Sequence, residues 1–136
     1  MEIIAHRGAS GVAPENTLAA IQQAIDFGAD SVEIDVRLSR DNEVYLMHDS
    51  KVNRTTSGSG HIRHLNSEII QKLDAGLWYD IKFQGEKVPT LSQVLNLCKG
   101  KVKLLIEVKS AERKRDPLLC QKISDLIDEF GAYDWV

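Results

Sequence analysis

The sequence lacks the features that mark disulfide-rich, membrane-spanning and nucleic-acid-binding proteins. Its 136 residues include two cysteines, Cys98 and Cys120, both at apolar positions of predicted helices, so we expect buried free thiols. No uninterrupted apolar stretch approaches the roughly 20 residues needed to span a bilayer. The net charge of −3 argues against a nucleic-acid or anionic-membrane surface. We therefore expect one globular domain with no nucleic-acid partner and no membrane span.

The amino terminus also lacks a recognisable secretory leader. Met1 leads directly into the apolar residues 3–5, with no basic region or cleavage site before them. We therefore expect a cytoplasmic location. The basic cluster at Arg113, Lys114 and Arg115 is too short to indicate an anionic partner.

Predicted strands and helices alternate along most of the chain. Period-two patterns predict strands at 2–5, 31–38, 44–47 and 102–108. Capping signals predict helices that begin after Asn16, after Thr90 (a Thr-x-x-Gln capping box) and after Asp116 (with proline at N1). Repeated strand–helix units imply a parallel sheet.

One stretch, at about 49–88, departs from this alternation. Residues 54–60 are polar and rich in glycine, which predicts an irregular loop, and Asn66 is placed to cap a short helix. Leu77, Trp78 and Tyr79 follow, and we expect them to pack into a core. We call this stretch the 49–88 segment.

The second predicted strand, 31–38, favours a barrel over an open sheet. Its apolar side chains alternate with Glu33, Asp35 and Arg37. An open doubly wound sheet is covered by helices on both faces, which would bury these carboxylates unpaired. A (β/α) barrel gathers catalytic side chains at its mouth, and a complete one has eight strands in about 250 residues. We therefore predict an α/β fold with TIM-barrel topology, as a partial barrel of about four parallel strands.

Charged and imidazole side chains lie on or just after the predicted strands. Glu33 and Asp35, like Glu107 and Lys109, are spaced two apart, so both members of each pair share one face. The three carboxylates offer hard oxygen ligands suited to Mg²⁺, Ca²⁺ or Mn²⁺. The alternative is that each carboxylate forms a salt bridge with a neighbour such as Arg37 or Lys109.

Two histidines, His6 and His48, each end a predicted strand beside these acids. An imidazole titrates near neutral pH, so two of them can serve as base and acid in one displacement, although a hydrogen-bonded structural role is the alternative. Arg7 and Lys109 add positive charge that suits a phosphoester or neutralises the acids. His61 and His64 lie in the irregular segment, and we expect surface positions for them.

Four motifs occur in order: HRGASGVAPENT, VEIDVRLSRDNEVYLMHD, RTTSGSG and LLIEVK. From about Ile3 to Lys109 the chain therefore closely resembles the glycerophosphodiester phosphodiesterases. The resemblance implies a TIM barrel with an inserted segment after the third strand, which corresponds to the 49–88 segment. On this basis residues 1–136 resemble the N-terminal half of such a domain.

The resemblance also implies roles at matching positions. It implies one divalent cation, Mg²⁺ or Ca²⁺ with Mn²⁺ as an alternative, and hydrolysis of a small glycerophosphodiester to glycerol 3-phosphate and an alcohol. The implied metal ligands are Glu33, Asp35 and Glu107, the acid–base pair is His6 and His48, and the phosphate contacts are Arg7 and Lys109. Glu15 and Asn16 would shape the rim of the site, with helix capping as the alternative for Asn16.

Two alternatives to an active enzyme on soluble diesters stay open. The family's domain continues through roughly four more strands, so this chain could be inactive alone and self-associate, as a homo-oligomer through the open barrel half, or dock on a partner. A lysophospholipid substrate would need the 49–88 segment to admit an acyl chain, for which Leu77, Trp78 and Tyr79 are the candidates.

Overall fold

A computed structural model describes residues 1–110 and 116–136, so the basic cluster at 113–115 lies outside the described residues. The strands are β1 (Ile4–His6), β2 (Ser31–Leu38), β3 (Val44–Leu46) and β4 (Lys103–Val108). The helices are α1 (Leu18–Asp26), α2 (Ser67–Ile70), α3 (Leu91–Cys98) and α4 (Pro117–Phe130). Two short 3-10 helices, Ile62–His64 and Ile81–Phe83, lie in the 49–88 segment.

The four strands form one sheet with β2 at its centre. Both β1 and β4 pair with β2 in parallel, as predicted for strand–helix units. β3 differs from the prediction of about four parallel strands, because it pairs antiparallel with the end of β2. The chain reverses there through a tight turn in which Asn42 takes a left-handed backbone conformation (φ 63°). The sheet is therefore mostly parallel, with three strands running in the barrel direction.

Capping side chains begin α3 and α4 as predicted, whereas Asn66 precedes α2 without a capping side-chain hydrogen bond. Thr90 and Gln93 form a reciprocal capping box at α3, and the Asp116 side chain accepts from Leu119 N at the start of α4. The cap of α1 was predicted wrongly, because the hydroxyl of Thr17, and not the amide of Asn16, accepts the hydrogen bond from Ala20 N. The Asn16 side chain bonds to Asp35 instead.

The main core lies between the sheet and three helices. Val32, Ile34 and Val36 of β2 are fully buried against apolar residues of α1, α3 and α4. The helices therefore cover one face of the sheet and leave the face that carries Glu33 and Asp35 for chemistry. Cys98 belongs to this core, and burial raises the pKa of its thiol to about 11. Cys120 was predicted to be buried and is exposed, because it lies outside the buried stripe of α4.

A second, smaller core anchors the 49–88 segment to β3. It contains Tyr45 and Met47 from the strand end, with Val52, Ile62, Ile70, Ala75 and Val88 from the segment. The prediction that Leu77 and Trp78 would be packed in a core is wrong, because 45% and 40% of their surfaces are exposed. His61 and His64 are exposed, which confirms the prediction.

The outer edge of β4 is open. Among the described residues no strand pairs with that edge, although Leu104 N donates to Trp135 O near the carboxyl terminus. Leu105 and Val108 are exposed beside a shallow groove whose far wall is Ile127 and Val136. Within residues 1–110 and 116–136, no helix combines the length and apolarity that crossing a bilayer requires.

Candidate active site

The register of the sheet brings the predicted site residues side by side. His6 of β1 is the Cα partner of Glu33 on β2, and Asp35 on β2 is the partner of Glu107 on β4. Because partners in neighbouring strands point to the same face, these four side chains gather at one end of the sheet. The structure therefore brings these four residues together.

The carboxylates of Glu33, Asp35 and Glu107 form a compact group. One oxygen from each lies within 4.8 Å of the others. Among the described residues, Glu33 Oε1 and Asp35 Oδ1 are buried without a hydrogen-bond partner. Burial, followed by the nearby charge of Asp35, raises the pKa of Glu33. Hard oxygens in this arrangement fit a divalent cation, because such an ion would bind Glu33 Oε1 and Asp35 Oδ1, neither of which accepts a hydrogen bond here.

Two cations also contact this group, so the salt-bridge alternative is partly realised. Lys109 Nζ contacts Glu107 Oε1 and lies 3.3 Å from Asp35 Oδ1, and Arg7 Nε lies 3.3 Å from Asp35 Oδ2. The hydrogen bond from Lys109 lowers the pKa of Glu107. Arg37 was the other predicted partner, but its guanidinium donates two hydrogen bonds, of 3.0 and 2.7 Å, to His48 O. Arg37 therefore holds the loop that carries His48. Among the described residues it forms no salt bridge with the three carboxylates.

The chain turns sharply where β1 ends. Arg7 has a left-handed backbone (φ 59°), and its N–H donates to both the carbonyl and the carboxylate of Glu33. Gly8 follows with φ 79°, and a Cβ there would lie 2.7 Å from Ala20 of α1. Helix α1 can therefore approach the turn closely enough for Ala20 O to accept from Ala9 N.

The two histidines occupy different surroundings. His6 is well exposed, with Nε2 3.8 Å from Glu33 Oε2. His48 is one-third exposed, and its Nδ1 lies 2.8 Å from Asp49 Oδ1. His48 is also near enough to Glu107 to contribute, after Lys109, to lowering the pKa of that carboxyl. Both imidazoles therefore border the carboxylate group.

Asn16 and Glu15 lie between the turn and the carboxylates. Asn16 is buried with a left-handed backbone (φ 55°), and its amide donates to Asp35 Oδ2 at 2.9 Å and accepts from Asp35 N at 3.2 Å. Glu15 accepts a 3.2 Å hydrogen bond from Arg7 Nη1. Burial alone would raise the pKa of Glu15, but the hydrogen bonds and charges of Arg54 and Arg7 lower it. Asn16 thus orients Asp35, and Glu15 orients Arg7.

Two residues of the site were missed in the sequence. Asp49 follows His48 directly and contacts its ring, and Arg54 bridges Asp49 to Glu15. The adjacency of His48 and Asp49 was an available signal. Arg54 begins the RTTSGSG motif, but no role was predicted for it, and its partner Glu15 is 39 residues away in the chain.

Comparison with known proteins agrees with this geometry. The model of the Glycerophosphoryl diester phosphodiesterase family matches residues 6–134. The Bacillus subtilis protein YhdW is 53% identical over 109 residues, which are 80% of this chain and 45% of that protein. The glycerophosphodiester phosphodiesterase of Caldanaerobacter subterraneus is 47% identical over 109 residues, or 79% of this chain and 45% of that enzyme. The chain spans about half the length of the curated relatives it matches.

Solved structures are similar over almost the whole chain. A glycerophosphodiester phosphodiesterase from Agrobacterium tumefaciens superposes with a TM-score of 0.88 at 41% identity, covering 96% of this chain and 54% of that one. An Oleispira antarctica phosphodiesterase, solved with the product sn-glycerol-3-phosphate, gives a TM-score of 0.91 at 35% identity, with coverages of 96% and 53%. These similarities confirm the predicted fold class, an α/β partial barrel.

Proposed function

Because this chain belongs to the glycerophosphoryl diester phosphodiesterase family, we propose that it supplies the reaction centre for hydrolysing a glycerophosphodiester to glycerol 3-phosphate and an alcohol. The family is one of enzymes. The observation that carries the proposal is the gathering of three carboxylates within 4.8 Å, bordered by Arg7, Lys109 and two imidazoles. A glycosidase would need only a carboxylate pair and would gain little from the additional cations.

Glu33, Asp35 and Glu107 are the residues proposed to hold one divalent cation, Mg²⁺ or Ca²⁺, with Mn²⁺ as an alternative. Glu33 Oε1 and Asp35 Oδ1 support this assignment, because both are buried and neither accepts a hydrogen bond. Such a cation would polarise a phosphoryl oxygen and offset the charge that develops on it. Asn16 would keep the Asp35 carboxylate oriented through its two hydrogen bonds.

His6 and His48 are proposed as the acid–base pair. One imidazole would take the proton from the attacking hydroxyl, and the other would protonate the departing alkoxide oxygen. The contact of His6 with Glu33 and the effect of His48 on the pKa of Glu107 support a reaction beside the carboxylate group. We do not assign which histidine is the base and which is the acid.

Arg7 and Lys109 are proposed to contact the phosphate, with Glu15 and Asn16 at the rim. Both cations carry permanent positive charge at neutral pH, and Lys109 keeps a raised pKa because its carboxylate partners outweigh the effect of burial. Glu15 would hold the guanidinium of Arg7 at a constant angle. Direct substrate contact by Asn16 stays a prediction, since both polar atoms of its side chain already bond to Asp35.

A second candidate is a chain that carries this centre but is inactive until the barrel is completed. The open edge of β4, with Leu105 and Val108 exposed, favours it. Self-association alone would not close an eight-stranded barrel, because two copies of the described residues supply only six strands in the barrel direction. A complementary segment with further strand–helix units fits this edge better than a second copy does.

One assay separates these candidates. Glycerol 3-phosphate release from glycerophosphocholine is measured for the chain alone and for the chain mixed with the C-terminal half of a relative, with and without EDTA. We expect metal-dependent turnover in at least the mixed sample, and none in a His6→Ala control. If even the mixed sample does not exceed that control, the proposed function is rejected.

Parallel samples test the finer assignments. Replacing glycerophosphocholine by lysophosphatidylcholine tests whether exposed Leu77 and Trp78 serve an acyl chain. Size-exclusion light scattering tests the predicted homo-oligomer. The cytoplasmic location stays a prediction.

A further inference from the structure

Arg54 connects two separate parts of the candidate site. Its guanidinium donates to both oxygens of Asp49, from Nε and Nη2, each at 2.9 Å. It also donates to both oxygens of Glu15, from Nη1 at 3.1 Å and from Nη2 at 2.8 Å. All three nitrogen atoms of one side chain are therefore committed to two carboxylates.

Each of these carboxylates in turn contacts a proposed reaction residue. Asp49 Oδ1 lies 2.8 Å from His48 Nδ1, and Glu15 Oε1 accepts from Arg7 Nη1. An unbroken series of polar contacts therefore runs from His48 through Asp49 and Arg54 to Glu15 and Arg7. Arg7 then reaches the buried carboxylate of Asp35.

Electrostatics keep both carboxylates ionised. The hydrogen bond from Arg54 is the largest cause of the strongly lowered pKa of Asp49. At Glu15, burial raises the pKa, and Arg54 is the main group that lowers it. An ionised carboxylate only accepts hydrogen bonds, so Asp49 requires the donor at His48 to be Nδ1–H. The neutral ring then presents Nε2 as an unprotonated atom.

We propose that Arg54 is a positioning residue that sets the tautomer and angle of His48 through Asp49 and the angle of Arg7 through Glu15. Its role in turnover rests on the proposed function, whereas the orientation of His48 does not. A planar guanidinium matches two carboxylates at once, and a lysine ammonium at the same place is a point charge that does not reproduce this geometry.

The first test reads the ring of His48 directly. The whole chain is labelled with ¹⁵N-histidine, and the tautomer is read from long-range ¹H–¹⁵N correlations near pH 8.5, above the ordinary imidazole pKa of about 6.5. A His48→Ala spectrum identifies the signal among the four histidines. We expect Nδ1–H to predominate in the wild type, and its fraction to fall in Arg54→Ala and, to a smaller extent, in Arg54→Lys.

Arg63→Ala is the matched control. Arg63 is an arginine of the same segment, and it ties that segment to the sheet through Ser39 O without contacting either carboxylate. We expect this variant to keep the wild-type tautomer even if it melts earlier. Should Arg54→Ala fail to fold, as judged by circular dichroism, Arg54→Lys carries the test.

The second test measures turnover in the completed barrel. We expect Arg54→Ala to lower kcat by about 10- to 100-fold, with partial recovery in Arg54→Lys. The same range is found when the hydrogen-bond partner of a metal-binding histidine is removed. Arg63→Ala should retain wild-type kcat. A tautomer shift with no activity in any sample would reject the proposed function and leave the orientation of His48 by Arg54 standing. A predominant Nε2–H form in the wild type, or a tautomer and kcat that do not respond to either Arg54 variant, would overturn the positioning role.

Discussion

Replacing Glu33 by glutamine should make the metal-free chain more stable. In the wild type Glu33 Oε1 and Asp35 Oδ1 are buried in the same acidic group, and neither accepts a hydrogen bond. A glutamine amide placed at Oε1 could donate to Asp35 while its oxygen still accepted from Arg7 N. The substitution therefore turns two repelling acceptors into a donor and an acceptor.

The size of this effect follows from the separation of the charges. Two carboxylates at the 4.8 Å limit repel by about 3.5 kcal/mol at an effective dielectric constant of about 20. Arg7 and Lys109 offset part of this repulsion, so we expect a net gain of about 1–2 kcal/mol, or a rise in Tm of roughly 3–10 °C. Since burial raises the pKa of Glu33, the penalty is present at pH 7 and disappears as the pH falls to the ordinary glutamate value of about 4.3.

Thermal melts with and without a divalent salt test this reasoning. At a concentration 100 times its Kd, a cation bound only by the folded chain adds about 2.7 kcal/mol, which we expect in the wild type and not in Glu33→Gln. Glu68→Gln is the control, because Glu68 is an exposed carboxylate paired with Lys72 outside the site. A Glu33→Gln chain that melts earlier than the wild type in EDTA, or that keeps the full metal-induced shift, would refute the proposed cation site.

Further predictions concern the neighbouring residues and the thiols. Asn16→Ala should lose about 2–4 kcal/mol in urea unfolding, because it removes two buried hydrogen bonds to Asp35, and Asn16→Gly should recover about 1 kcal/mol of backbone strain. Equal losses in both variants would show that the left-handed backbone contributes nothing. Asp49 has a lowered pKa, so its contribution is present above the ordinary aspartate value of about 3.9 and is lost below it. The advantage of the wild type over Asp49→Asn should therefore shrink progressively as the pH falls below about 5, and a constant difference would contradict this. A thiol reagent should modify exposed Cys120 at once and buried Cys98 only after denaturation, and fast reaction of both would contradict the fold.

Local signals were sufficient for the elements that place the site. The strict alternation in β2 predicted its bounds, Ser31–Leu38, and the capping residues predicted where α3 and α4 begin. Because β2 pairs with parallel strands on both sides, its register then brought His6 and Glu107 beside its acids without further information. The placement of these strand residues beside one another was therefore predictable, and their roles stay predictions.

The errors arose where a residue's role depends on distant partners. Asparagine is a favourable helix cap, but the adjacent Thr17 took that position and left Asn16 free to bond with Asp35, which is 19 residues away. The antiparallel direction of β3 is the exception, because the short turn between β2 and β3 already excludes the long crossover connection that a parallel strand needs. Arg54 was noted only as the start of the RTTSGSG motif, because its role depends on Glu15 and Asp49, which form no periodic pattern with it.

The three acids differ in how firmly the sheet holds them. Glu33 and Asp35 belong to a strand with hydrogen-bonded neighbours on both sides, whereas Glu107 belongs to β4, which pairs on one side among the described residues. Oxygens bind Mg²⁺ at about 2.0–2.1 Å and Ca²⁺ at about 2.3–2.6 Å, so the choice between these ions depends on shifts of a few tenths of an ångström. We expect the oxygens of Glu33 and Asp35 to shift less easily than those of Glu107, because β2 is held on both sides. We therefore expect any strand that pairs with the outer edge of β4 to change which ion is preferred.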